Sequence, residues 1–291
     1  MVSLFLATAL SFTAVDAKLA YDSAAELVEN HTPRDSGTLA SHRAADFILN
    51  KVSSLGADAR LDIFKAETPK GVRTFVNVES EFISSIDNEW IVFISHFDTK
   101  EGVDCPGAND GASTTGLLIA LAGKLFECRP KNTNILLLWT DGEECINYYS
   151  HNDGLWGSKY AARKLKESSR KVRAVICLDM LGDKDLKITI PENVHPGFKK
   201  GLLRIADRKR VADKIVSSDD IVTDDHVPFL EAGFKAINLI DFEFGSKSGL
   251  NDYWHTSKDT LDKISQESLL FTGSLATWII KGLDRKVEKD R

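Results

Sequence analysis

The sequence predicts an α/β fold built on a mostly parallel sheet covered on both faces, and three observations carry that expectation. Apolar strand-like runs alternate with amphipathic helical stretches along most of the 291 residues, the pattern of strands sandwiched between helices. Two of the runs, ILLLW (135–139) and VRAVICLDM (172–180), are apolar enough to read as strands buried on both sides. Acidic and imidazole residues gather where the runs end, and open α/β sheets collect their ligands beyond the carboxyl ends of the strands.

Composition sets the outer bounds. With 43% hydrophobic and 27% charged residues the chain is ordinarily globular, and no Pro/Gly-rich linker divides it. A formal net charge of -6 and the lack of a basic patch argue against a nucleic-acid partner. No apolar run is long enough for a transmembrane helix. Residues 1–17, within MVSLFLATALSFTAVDAK, read as the apolar region of an export leader with Ala17 before a cut, although a basic n-region is missing. The expectation is an exported protein whose single catalytic domain spans residues 18–291. The competing reading makes the same run the first turns of the helix that continues through LAYDSAAELVE. Cys105, Cys128, Cys145 and Cys177 have no metal-type spacing; Cys177 reads as a packed thiol, and Cys105 and Cys145 flank candidate site residues.

Along the chain, residues 18–30 and 38–54 place apolar residues at helical spacing, with the loop NHTPRDSGT between them. VRTFVNVE (72–79) and EWIVFISHFD (89–98) are strands, joined by polar residues that suit a hairpin. PGANDG (106–111) is a turn, and the helix STTGLLIALAGKL follows with Gly116 inside it. A strand at 134–140, a long loop at 141–156, a helix at 157–168 and the strand at 172–180 come next. LKITI is a further strand, and PGFKKGLLRIADRK is a helix with Pro196 near its start. DDHVPFLEAGF is a short helix leading into the strand AINLIDF. A polar and aromatic loop, NDYWHTSKDTLDKIS, precedes the closing amphipathic helix ESLLFTGSLATWIIKGLDRKV.

The chemistry centres on ILLLWTDGEEC, where adjacent glutamates Glu143 and Glu144 follow a buried strand. Two neighbouring carboxylates repel unless a cation or a shared proton separates their roles. A metal that takes one as ligand and leaves the other as base does this, whereas an isolated Glu-Glu pair is more commonly a solvated loop. His96 and Asp98 end another strand two residues apart, which suits a ligand and the carboxylate that fixes its tautomer. Asp110 sits in the glycine-bounded turn, where helix N-capping is the ordinary alternative. Asp179 ends a third strand, and His255 follows Trp254 in the C-terminal loop. Two imidazoles and three carboxylates without a thiolate suit catalytic zinc, with manganese or cobalt as alternatives. No nucleophile-elbow pattern surrounds Ser158, and Cys145 has no histidine partner in sequence.

SHFD, PGANDGAS, DGEE, CLDMLG and YWHTSKDTLD, in that order, resemble the zinc exopeptidases of the bacterial aminopeptidase type and their relatives the glutaminyl cyclases. The resemblance covers nearly the whole chain from about residue 20. It implies a single α/β/α sandwich around a mixed sheet, with His96, Asp110, Glu144, Asp179 and His255 as metal ligands. It also implies Asp110 as a bridge where two zincs bind, and Glu143 as general base.

The long link EECINYYSHNDGLWGSKYAA, the segment DDHVPFLEAG and Trp254 before His255 look like the cyclase branch. In that branch Asp225 matches a buried acid that joins Asp179 in positioning the proton, and Trp254 matches a pocket wall. Tyr149 stands where animal cyclases carry a second pocket tryptophan. Ser95 and, roughly, Thr115 stand at the positions of their disulfide. The resemblance therefore implies a zinc enzyme acting on peptide N-termini. Its leading form is a glutaminyl-peptide cyclotransferase with one zinc, held by Asp110, Glu144 and His255. The alternative is a di-zinc aminopeptidase in which His96 and Asp179 hold a second metal; a non-catalytic binding relative is the remaining reading.

Overall fold

The computed structural model of the protein describes residues 10–84 and 88–284. Among the described residues the strands are β1 (Ala59–Thr68), β2 (Gly71–Phe82), β3 (Glu89–His96), β4 (Asn134–Thr140), β5 (Lys171–Asp179), β6 (Ile188–Ile190), β7 (Ile215–Ser217) and β8 (Ala236–Ile240). They form one mixed sheet in the spatial order β1-β2-β4-β3-β5-β8-β6-β7. The α-helices are α1 (Ala14–His31), α2 (Leu39–Ser54), α3 (Thr114–Glu127), α4 (Trp156–Glu167), α5 (Pro196–Lys209), α6 (His226–Glu231) and α7 (Gln266–Leu283).

The apolar runs alternate faces as pleated strands must. Ile91 and Phe93 of β3, with Ile135, Leu137 and Trp139 of β4, join a core with residues of α1, α2, α3 and α7. Their neighbours Trp90, Val92, Ile94, Leu136 and Leu138 face a second core with Ala161 and Leu165 of α4 and Phe229 of α6. The expected three-layer sandwich results. β4, β3, β5 and β8 run parallel through its centre, so the ends of β3, β4 and β5 share one edge.

The hairpin expected between residues 72–79 and 89–98 does not form. Instead β2 turns back on β1, and β4 lies between β2 and β3. Burial explains the order. Every residue of β4 is buried and β3 is nearly so, which suits the middle of the sheet. The start of β2 is exposed, and β1 buries only Phe64 and Thr68, too weak an apolar signal to stand out in sequence. β3 also stops at His96, so Asp98 sits in the loop that follows.

α1 begins at Ala14 behind a Thr13–Asp16 capping box. The boundary expected after Ala17 therefore falls inside this helix, with Leu10, Phe12 and Ala17 in the core; residues 1–9 of the expected leader lie outside the described residues. Gly116 is required rather than tolerated: a Cβ there would sit 2.2 Å from the Ala20 carbonyl oxygen of α1, far inside contact distance.

Candidate active site

The carboxyl ends of β3 and β4 are tied together by one side chain, Asp98. Its Oδ1 accepts from the Glu143 N–H and its Oδ2 from the Glu144 N–H, each at 3.1 Å, while Ser36 donates to Oδ2 at 2.6 Å. The same carboxylate lies 3.6 Å from His96 Nδ1, which leaves Nε2 as the outward nitrogen of the imidazole. Asp141, also buried, accepts from the Gly37 and Val76 N–H groups and anchors the end of β4.

Asp110 is presented by a kink before α3. Gly107 and Gly111 have φ of 63° and 88°, and Asp110 itself, at φ -80° and ψ 98°, is not helical. A Cβ on Gly111 would lie 3.0 Å from His96 Cε1, so glycine is needed to bring this loop against the imidazole. Two residues hold the loop. Asp259 accepts from the Asn109 and Asp110 N–H groups at 2.7 and 3.1 Å. Arg34, fully buried, donates to the carbonyls of Phe97, Pro106 and Gly107. Sequence reasoning missed both, although Asp259 stood inside the YWHTSKDTLD motif; Arg34 gave no signal within a polar loop.

The five residues expected as ligands converge. His96 Nε2 is 3.1 Å from both Asp110 Oδ1 and Asp179 Oδ1. His255 Nε2 is 2.8 Å from Glu144 Oε1 and 3.3 Å from Asp110 Oδ2. Donors bound at ~2.0–2.1 Å around a tetrahedral zinc stand roughly 3.3 Å apart, so these spacings fit a metal. Two overlapping donor sets result, His96–Asp110–Asp179 and Asp110–Glu144–His255, with Asp110 common to both. Glu144 Oε2 is buried without a hydrogen-bond partner, with the Lys100 ammonium 3.8 Å away. His255 and Met180, the latter next to Asp179, both take φ of 54°, a left-handed conformation costing about 1–3 kcal/mol that clusters at functional sites.

The electrostatics ask for a cation. Burial pushes the Glu143 carboxyl well above its usual range, and the charge of Glu144 adds to this. Glu144 is raised by burial and by Asp110, and Asp179 is pushed up to about 6, chiefly by burial. Asp110 goes the other way: burial opposes its charge, but hydrogen bonds from His255 and His96 hold it below the normal range. For His255, burial disfavours the charge and the Asp110 and Glu144 carboxylates outweigh it, raising the imidazole to about 10. A bound divalent cation reverses such crowding by stabilising every carboxylate around it.

A cavity of about 770 Å³ opens onto this cluster and is lined by Asp110, Glu143, Glu144, Asp179, Asp224 and Trp254, among others. Trp254 stacks on the His255 ring with centroids 3.9 Å apart. Tyr149 lines the cavity too, and its hydroxyl does more than make a wall. It donates to Glu143 Oε1 at 2.9 Å and Oε2 at 3.1 Å, a contact sequence reasoning did not foresee. The long loop carrying Tyr149 is folded by Asp153, which accepts from the N–H groups of Ile146, Asn147 and Tyr148.

Asp225 stands behind the cavity rather than on its wall. Its Oδ2 accepts from the Thr140 hydroxyl, and burial followed by the Asp224 charge pushes it up to about 7. The acid that lines the cavity is its neighbour Asp224, held by Asn238 at 2.7 Å and by the Cys177 thiol at 3.3 Å. Cys177 thus has a polar partner beyond packing, and Cys105, Cys145 and Cys177 form no disulfide. Ser95 donates to Thr114 at 2.8 Å, one residue before the position expected for its counterpart.

One buried and one half-buried imidazole among buried carboxylates, at the carboxyl edge of an α/β/α sandwich and opening into a cavity, define a metal-dependent α/β enzyme. The chain belongs to peptidase family M28, whose profile matches residues 77–278. It is 26% identical to the glutaminyl-peptide cyclotransferase of Dictyostelium discoideum, over 80% of this chain and 78% of that protein. A solved glutaminyl cyclase from an Acidobacteriales bacterium is 30% identical, with a TM-score of 0.86, covering 95% of this chain and 97% of that one. A leucine aminopeptidase precursor from Bacteroides thetaiotaomicron superposes with a TM-score of 0.80, over 93% of this chain and 97% of its own, at 22% identity. At that identity it shares the fold alone.

Proposed function

We propose that this chain is a glutaminyl-peptide cyclotransferase that converts an N-terminal glutamine to pyroglutamate and releases ammonia, using one zinc held by Asp110, Glu144 and His255. The observation that carries this reading is one cavity holding both a three-donor cluster with room for a further ligand and a buried carboxylate, Glu143, outside that cluster. The similarity to glutaminyl cyclases over most of the chain supports the cyclase over the aminopeptidase.

Zinc at this cluster supplies Lewis acidity for the side-chain amide carbonyl of the substrate. Glu143 takes a proton from the α-amine as its nitrogen bonds to the amide carbon. The same carboxyl then gives that proton to the departing amide nitrogen, which leaves as ammonia. A base that must also act as acid works best with a pKa near the working pH, and burial moves Glu143 in that direction. Tyr149 holds both carboxylate oxygens in place for the transfer. Asp179 and Asp224 form the acidic wall along which the α-amine is oriented, and Asp225 backs it from behind the cavity. His96, between Asp110 and Asp179, serves as their hydrogen-bonded partner in this one-zinc reading.

The test is mass spectrometry of the zinc-loaded protein with two short peptides, one beginning with Gln and one with Leu. The Gln peptide is expected to lose ammonia without shortening, and the Leu peptide to stay intact. Removal of the leucine would overturn the cyclase in favour of an aminopeptidase.

Tyr149→Phe isolates the hydroxyl. A donor to a carboxylate favours its ionised form, so its loss raises the Glu143 pKa and moves the acid limb of the kcat/KM–pH profile to higher pH. Losing a hydrogen bond to a charged group costs about 1.5–3 kcal/mol, or about tenfold or more in kcat/KM near neutrality. A profile that keeps its acid limb would remove Tyr149 from this role.

A further inference from the structure

A second cavity, of about 420 Å³, lies far from the metal cluster, at the opposite end of the same strands. Its floor is Ala174 and Ile176 of β5 with Ile237 of β8, and its walls are one side of α5 from Phe198 to Lys209 and the C-terminal end of α7. The concavity has a local cause. Gly201 of α5 has nothing within 4 Å of where a Cβ would stand, and Gly282 of α7 meets only Ile205 Cδ1 at 4.0 Å. Glycine is unfavourable inside a helix, and at Gly116 a backbone contact demands it; at Gly201 no contact does. What the absent side chains create is space beside Phe198, Ile205 and Trp278, which stay only partly buried.

The rim of this groove has one sign. Arg208, Lys209 and Lys281 line it and are exposed, and no carboxylate is among its described lining residues. The Lys209 ammonium lies 4.7 Å from the centre of the Trp278 ring. α5 carries five basic residues and one acid, against a chain whose formal net charge is -6. Asp284, the nearest acid along α7, is turned away to the Lys131 and Asn132 N–H groups. An apolar slot of a few hundred Å³ with a few convergent polar groups is the usual form of a small-molecule site.

We propose that this groove binds a single-chain anionic amphiphile of the fatty-acid class. The alkyl chain lies along Ile176, Ile237 and Ile205 in the space left by Gly201, and the carboxylate meets Arg208 and Lys281. The metal cluster takes no part, so the proposal stands or falls independently of the reaction assigned above.

The test is displacement of a dansyl-labelled undecanoate from the full chain by decanoate and, as a neutral control, by decanol. Decanoate is expected to bind about tenfold tighter than decanol. Gly201→Leu, placed in open space on a helix, fills the slot and weakens decanoate about tenfold or more, with Tm equal to or above that of the parent and peptide turnover unchanged. Arg208→Glu combined with Lys281→Glu weakens decanoate and leaves decanol as it was, so the charge arm remains decisive even if the leucine variant misfolds. Equal affinity for the two ligands overturns the proposal, as does decanoate binding that survives in a folded Gly201→Leu protein. Sedimentation with phosphatidylglycerol vesicles that is indifferent to Gly201→Leu would assign the basic rim to a membrane surface instead.

Discussion

Glu143→Gln is expected to lower turnover by about 10²–10⁴-fold, the usual range for loss of general acid–base catalysis, while leaving zinc content unchanged. Glutamine keeps the shape of the side chain and an oxygen that can accept from the Tyr149 hydroxyl. It cannot take a proton from the substrate amine. Glu143 belongs to neither donor set, so the metal has no reason to leave. The main-chain N–H of residue 143 still reaches Asp98, which keeps Glu144 in position. Ammonia release and elemental analysis on one preparation read both halves of the prediction. A variant with near-normal rate would remove Glu143 from the chemistry and sink the aminopeptidase reading with the cyclase.

The second large effect separates one metal from two. Asp110 is common to both donor sets, so Asp110→Asn is expected to empty the site, weakening zinc by more than the ~10–100-fold typical of losing an outer partner. Chelator should then lower the Tm of the parent protein but not that of this variant, because only a bound ligand adds stability by mass action. Asp179 belongs to the His96 set alone. In a one-zinc enzyme Asp179→Asn keeps a stoichiometry of one, and its defect appears in turnover. A fall from two zincs to one would replace the proposed site with a bridged pair and reopen the aminopeptidase reading.

Much of this site was legible from order and residue type. His96, Asp110, Glu144, Asp179 and His255 fall at or just beyond the ends of apolar runs or in glycine-bounded turns, and the fold brings all five within reach of common cations. The supporting residues were less visible. Arg34 and Asp259 satisfy backbone groups of the Asp110 loop from 72 and 149 residues away in the chain, and a polar residue in a polar loop gives no periodic signal. Tyr149 was readable as a pocket aromatic, but its hydroxyl partner was not, because the loop path depends on Asp153 turning three N–H groups inward. Between two adjacent acids, only the path of the chain decides that Asp224 lines the cavity while Asp225 reaches back to Thr140.

Local pattern alone identifies the apolar runs buried on both faces and the residues waiting at their ends. The strand order, with β4 inserted between β2 and β3 against the expected hairpin, was decided in three dimensions. Competition for the doubly covered centre of the sheet ranks strands against one another, and no window of sequence contains that comparison. The same reason hid the groove between α5 and α7. A helix glycine looks alike in sequence whether a carbonyl 2.2 Å away requires it, as at Gly116, or nothing fills its place, as at Gly201.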